Sequence, residues 1–231
     1  MMLALVLLPM SATALGGFAR TAPPFATSSI VPELAGGGHL QLAVPGTRVG
    51  DRVWPAAGSL CAYVERHAAV AGKNVLELGC GTGAVGIVCS WLGASKVLLT
   101  DGSPIVLETT QRNLKANRAS RASLQRLRWG YDEDLTKAQP GSWDLVVAAE
   151  VAYQRETLPA FLATVSALLK DDGLALVVMT PELADNGRGL EGVEKLMRST
   201  PDLDLVDVAL GDDDDDESLG TARYTLKRRK T

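Results

Sequence analysis

Between residues 75 and 83 the chain reads Val75-Leu76-Glu77-Leu78-Gly79-Cys80-Gly81-Thr82-Gly83, an acid followed by glycines at alternate positions. The apolar run before the glycines reads as a short strand, and the mostly apolar residues 84–92 read as a helix stopped by Gly93, so the glycines fall at a strand-to-helix turn. Glycine there lets the backbone bend sharply and lets a ligand approach with no Cβ in the way. Counted from Gly81, the stretch Gly81-Thr82-Gly83-Ala84-Val85-Gly86 also satisfies GxGxxG, and Asp101 follows 20 residues after Gly81, at the end of the next strand. An acid so placed can accept hydrogen bonds from both hydroxyls of a ribose. These features point to a nucleoside-type cofactor without separating a dinucleotide from S-adenosylmethionine. Glu77 favours the second: that ligand has no pyrophosphate to seat on a helix N-terminus, but its ammonium and sulfonium welcome carboxylates.

The E-x-G-x-G-x-G turn resembles motif I of the class I, seven-strand methyltransferases. Three further segments carry the resemblance: Val53-Trp54-Pro55-Ala56-Ala57 ahead of the first helix, Leu127-Arg128-Trp129-Gly130 at the end of a strand, and Ala149-Glu150-Val151-Ala152-Tyr153 after the next. Their order and spacing resemble methyltransferase family 16, whose members include protein-lysine methyltransferases acting on chaperones and elongation factors. The resemblance extends over residues 40–230 and implies S-adenosylmethionine as cofactor and a protein as acceptor. It places Trp54 against the cofactor, Glu77 with Gly79, Cys80 and Gly81 at its methionine portion, Asp101 on its ribose, and Trp129 and Ala149 on its adenine side. Trp91 and Trp143 match no family position and are expected in the core.

The same resemblance makes Glu150 and Tyr153 the catalytic pair. Methyl transfer from a sulfonium is an in-line displacement in which the donor brings its own leaving group, so the protein must supply alignment and a neutral amine. A lysine ammonium, with a pKa of about 10.4, has no free lone pair. Glu150, at a strand's carboxyl end where open α/β sheets place their ligands, can orient the ε-amine. Tyr153 offers a ring face and a hydroxyl to the same group. A carboxylate also stabilises the ammonium, so orientation is favoured over strong base catalysis. The family most often has Asp at this position, and the longer Glu150 bears on the geometry and the acceptor. Methylation of a small-molecule amine or of another protein side chain, and a non-catalytic cofactor-binding scaffold, are the alternatives.

Positioning these groups takes an alternation of strands and helices from residue 40 onward: an α/β, Rossmann-like fold with a seven-strand, mostly parallel sheet, helices on both faces and an antiparallel C-terminal strand. Residues 40–44 and 47–53 read as a small hairpin or extended pair across Pro45-Gly46, followed by a helix over 55–71. Ser103 and Pro104 form a favourable helix entry. Leu158, Phe161, Leu162, Val165, Leu168 and Leu169 recur at helical spacing, with Gly173 closing that helix, and 174–180, 203–210 and 222–228 read as strands.

Of 231 residues, 46% are apolar and 22% charged, which excludes wholesale disorder. No stretch is long and apolar enough for a membrane span. Six acids lie together at 212–217; the remaining 21 are outnumbered by 23 Lys and Arg, so the acidic balance reports one solvated loop and gives nucleic-acid binding no support. Basic residues around 112–128 read as a solvated surface. Cys61, Cys80 and Cys89 have no metal-ligand spacing, no metal site is expected, and Cys80 is too small a part of the turn to suggest a nucleophile. Residues 1–32 hold no acid and one cation, Arg20, with a short apolar run at 3–10 followed by small and hydroxylated residues. They read as a targeting peptide, of the two-part plastid kind, or as an unstructured extension or the product of a misassigned start codon, with the methyltransferase domain over 33–231. An organelle is the expected compartment in the first case and the cytoplasm in the second; the oligomeric state is left open.

Overall fold

The computed structural model describes residues 25–27, 40–43, 49–67, 70–151, 153–211 and 220–229. Apart from Phe25–Thr27, the proposed presequence lies outside them, as does the acidic run at 212–217. Two three-residue strands, β1 (Phe25–Thr27) and β2 (Gln41–Ala43), pair antiparallel. The expected hairpin over 40–53 is therefore corrected. The partner of β2 comes from upstream, and Val49–Asp51 is a 3-10 turn.

The main sheet has seven strands: β3 (Asn74–Leu78), β4 (Lys96–Asp101), β5 (Ala122–Arg126), β6 (Trp143–Ala149), β7 (Leu169–Met179), β8 (Leu203–Leu210) and β9 (Ala222–Arg228). Their order is β5-β4-β3-β6-β7-β9-β8, with β9 antiparallel to both neighbours and the first five strands mutually parallel. Because β4 goes to one side of β3 and β6 to the other, chain direction across the sheet reverses at β3, leaving a crevice at the carboxyl ends of β3 and β6.

Side chains alternate between two cores. Leu76 and Leu78 join Trp143, Phe161, Met197 and Tyr224 on one face, while Val75 joins Leu60, Ile87, Val88 and Leu114 on the other. The second face is covered by α1 (Pro55–Arg66), α2 (Ala84–Trp91) and α3 (Pro104–Ala116). The first is covered by α4 (Asp132–Lys137), α5 (Leu158–Leu168) and α6 (Glu191–Ser199). Ser103 accepts from the Val106 N–H at the start of α3, with Pro104 inside the first turn.

α1 stops at Arg66, short of the expected 71. α5 buries Leu158, Phe161, Leu162, Val165 and Leu168 as its spacing requires, but ends before Gly173. That glycine sits in β7, beside an irregularity opposite residues 143–145, where a Cβ would stand 2.8 Å from the Trp143 carbonyl. Trp143 is a core residue, its indole donating to the Ala138 carbonyl at 2.7 Å. Trp91 is not: it is 37% exposed at the end of α2, its indole reaching the Asn117 carbonyl at 2.9 Å. Among the described residues no helix is long and apolar enough to cross a membrane.

Candidate active site

The carboxyl end of β3 turns through Gly79, Cys80 and Gly81 into α2. Gly83, the residue before the helix, has φ +84 and no room for a side chain, since a Cβ would lie 2.7 Å from the Thr110 methyl. It therefore cannot cap α2 with a side chain of its own. Glu77 does so from the strand: its Oε2 accepts the Gly86 N–H at 2.9 Å, in the first turn of the helix. Gly86 permits this approach, because a Cβ there would stand 2.5 Å from Leu99 and 2.6 Å from Glu77 Oε2. Glu77 is buried, and burial pushes its carboxyl up to about 8 against the pull of the Gly86 N–H and with some help from the charge of Asp101. The positive end of α2 faces it, but burial outweighs that pull, so the fold holds at the helix entrance an acid whose protonated form is favoured.

Asp101 ends β4 across the crevice. Its two oxygens accept from Ser103 N–H at 2.9 Å and Gly81 N–H at 3.3 Å, which fixes the carboxylate against the glycine turn. Burial raises its pKa, and these N–H groups oppose the rise. Two α3 side chains brace the turn from behind. Thr110 donates to the Gly81 carbonyl at 2.6 Å, and Asn113 donates to the Thr82 carbonyl at 2.9 Å. Asn113 also accepts from the Ala43 N–H at 2.8 Å, and Asn117 both accepts from and donates to Gln41, so the same helix face holds β2. The sequence reading missed all three. Their signal was a row of polar residues three and four apart on an otherwise half-apolar helix.

A cavity of about 440 Å³ opens at this crevice. All of Trp54, Glu77, Gly79, Cys80, Gly81, Asp101, Trp129, Ala149, Glu150 and Tyr153 line it, together with Gly50, Arg52, Ser103, Val106 and Arg128, which the sequence reading did not place at the site. Trp129 reaches it from the first core, packed edge-on against Phe161 at 5.1 Å between ring centroids. Trp54 stands at the start of α1, its carbonyl accepting from Ala57 N–H at 3.0 Å. The Cys80 thiol is buried beside Thr110, and burial drives its pKa up, which disfavours the thiolate a nucleophile would need.

Glu150 follows β6 in a left-handed conformation, φ +54, that costs a residue with a side chain about 1–3 kcal/mol. The conformation turns its carboxylate toward β7, where Oε1 accepts from both the N–H (2.9 Å) and the hydroxyl of Thr180. Burial raises its pKa; the Thr180 contacts and the Ala56 N–H at the start of α1 lower it, and the charge of Glu182 raises it again. Glu150 is thus oriented by three elements at once. Tyr153 is 41% exposed at the mouth. A second cavity of about 370 Å³ adjoins the first, sharing Trp54, Glu150 and Tyr153 and adding Glu182, Leu183, Asn186 and Gly187.

A family model described as lysine methyltransferase matches residues 42–186, well over half of the chain and all of the crevice just described. The chain belongs to the lysine methyltransferase family. Among curated relatives, "EEF1A lysine methyltransferase 3" of Mus musculus is 37% identical over 185 residues, covering 78% of this chain and 75% of that protein. "Protein N-lysine methyltransferase METTL21A" of Danio rerio is 37% identical over 54% of this chain and 58% of its own length. Of solved structures, a ribosomal protein L11 methylase from Lactobacillus delbrueckii subsp. bulgaricus aligns with TM-score 0.59 at 19% identity, covering 78% of this chain and 81% of that one. A TehB-like SAM-dependent methyltransferase from Corynebacterium glutamicum aligns with TM-score 0.54 at 20% identity, covering 74% and 87%. The seven-strand sheet with one antiparallel strand is the fold of these methyltransferases, as the resemblance implied.

Proposed function

We propose that the protein transfers a methyl group from S-adenosylmethionine to the ε-amine of a lysine in a protein substrate. The observation that carries this reading is the pair of cavities with a common wall of Trp54, Glu150 and Tyr153: one floored by the glycine turn and Asp101, the other open to solvent and lined by carboxylates and aromatic rings. Membership of a lysine methyltransferase family and relatives named for protein lysines support the choice of acceptor.

The residues fit a nucleoside that carries positive charge. Asp101, held by two backbone N–H groups, keeps lone pairs for a ribose diol. The turn from Gly79 to Gly81 offers open backbone, and Glu77 places a buried acid behind it. When bound, the donor supplies an electrophilic methyl carbon and its own leaving group, so that the new C–N bond forms as the C–S bond breaks and the electron pair leaves with sulfur. The protein's task is alignment and exclusion of water. Trp54 and Tyr153 line both cavities and bound the acceptor's approach, and Glu150 accepts an N–H of the amine and aims its lone pair. A carboxyl whose pKa is raised by burial is also a readier proton acceptor than an exposed one, so Glu150 can receive the ammonium proton before passing it to water.

Calorimetric titration with S-adenosylhomocysteine and incubation with methyl-labelled donor and purified EEF1A, followed by cell extract, test the reading. Label on a lysine, located by mass spectrometry, is the expected result. A protein that binds neither S-adenosylmethionine nor its product, or that labels only non-lysine positions, overturns it.

A further inference from the structure

The turn after β7 forms the outer wall of the second cavity, and several contacts tie its backbone to the site. Thr180, whose N–H and hydroxyl hold Glu150, also accepts through its carbonyl from Leu183 N–H at 3.0 Å and Ala184 N–H at 3.1 Å. Asp185 and Asn186 are both left-handed, at φ +49 and +57. Asn186 N–H donates to the Tyr153 carbonyl at 2.9 Å, and the Asp185 carboxylate is buried with Arg155 at 3.8 Å. Asp and Asn are the side chains that best tolerate this region after glycine, and two in succession turn the backbone back toward Tyr153. These contacts hold, at the rim of the second cavity, the backbone that carries Glu182. It is exposed and, among the described residues, has neither a hydrogen-bond partner nor an ion pair, in contrast to Glu150 inside.

We propose that Glu182 is a specificity-determining residue of the acceptor subsite: its carboxylate binds the cationic ε-ammonium of an incoming lysine at the mouth, between Trp54, Leu183 and Tyr153, and passes it inward to Glu150. The inference rests on reading the enzyme as a lysine methyltransferase. An alkylammonium matches this mouth in both of its parts, since Trp54, Leu183 and Tyr153 offer apolar and aromatic surface to a methylene stem while the two carboxylates attract its head. Glu150 alone is poorly suited to capture from solvent, because its charge is already engaged by Thr180 and the start of α1. Glu182 has no such engagement, and its charge is close enough to raise the proton affinity of Glu150. A cation arriving between them relieves that repulsion.

The test uses n-butylammonium as a lysine side-chain probe and n-butanol as its neutral counterpart, titrated into the full-length protein saturated with S-adenosylhomocysteine. The indole N–H signal of Trp54 is followed by NMR. Saturable binding of n-butylammonium, about three- to fivefold tighter than n-butanol, is expected in the unaltered protein. Glu182→Gln should abolish the difference and Glu182→Asp should keep part of it, both with unchanged affinity for S-adenosylhomocysteine and unchanged melting temperature. With a protein acceptor, Glu182→Gln should raise KM by a similar factor and leave kcat within about twofold. Equal binding of the two probes, or a preference for n-butylammonium that survives Glu182→Gln, overturns the proposal. Failure of the unaltered protein to bind S-adenosylhomocysteine would instead remove the reading beneath it.

Discussion

Asp101 illustrates a side chain whose working position is set before any ligand arrives. Two backbone N–H groups aim it, so removing it deletes a pre-oriented acceptor and releases part of the glycine turn. Asp101→Ala should weaken S-adenosylhomocysteine binding by about ten- to a hundredfold, read by calorimetry. Glu77 makes a different prediction because its carboxyl is pushed up to about 8 from an ordinary 4.5. A carboxyl that keeps its proton in the folded state stabilises the fold fully below its unfolded pKa, and that contribution is lost as pH rises through the folded value. Glu77→Gln keeps the acceptor for Gly86 N–H and removes the titration. The melting temperature of the variant minus that of the unaltered protein should therefore climb steadily between about pH 5 and 9; a difference that stays flat would mean that Glu77 is ionised throughout. For Glu150, the uncharged Glu150→Gln should leave S-adenosylhomocysteine affinity within a fewfold while turnover falls by a factor of about ten or more.

The elements tell which of these positions could be seen in advance. Strands β3, β4 and β6 fall within a residue or so of where their apolar runs place them, because a strand buried on both faces is apolar for nearly its whole length, whereas β8 and β9, with one face less covered, show through the partial alternation of polar and apolar residues. α3 was legible from Ser103-Pro104 for the same local reason. What was illegible depends on partners distant in the chain. β2 pairs with β1 and hangs from Asn113 and Asn117, some 70 residues away, so Pro45-Gly46 suggested a hairpin that does not form. Gly173 looked like a helix stop because its real reason, the Trp143 carbonyl on a neighbouring strand, leaves no local trace. The short α4 and the strongly amphipathic α6 passed unnoticed beside longer runs. Asn113 is the clearest test at this scale, since it is fully buried and satisfies Ala43 N–H and Thr82 C=O together. Asn113→Ala should cost about 2–4 kcal/mol in urea unfolding, one stranded backbone group at each side of the helix. It should also weaken S-adenosylhomocysteine binding, because Thr82 adjoins the turn.

Across the whole molecule, ten residues scattered from Trp54 to Tyr153 meet in one cavity because parallel strands carry their carboxyl ends to the same edge. That convergence follows from the fold and needed only the motifs to be legible; the Thr180 tether on Glu150 and the second cavity needed coordinates. If the domain proper begins near residue 33, removing residues 2–32 deletes β1 but leaves β2 clamped to α3. Stability should then fall by no more than about 1–2 kcal/mol, with donor binding intact. The position of β9 carries a consequence for synthesis. Among the described residues it is the last strand in chain order, yet it lies between β7 and β8, and β8 has no other partner there. As the chain leaves the ribosome, the site-bearing half of the sheet can assemble while the apolar edge of β7 stays bare. Only β9 closes that edge, and its place lies between two strands that precede it in the chain. A chain cut between β8 and β9 would thus retain the glycine turn, Asp101 and Glu150 and still expose an open strand edge, so loss of β9 should show as aggregation before it shows as a missing donor site.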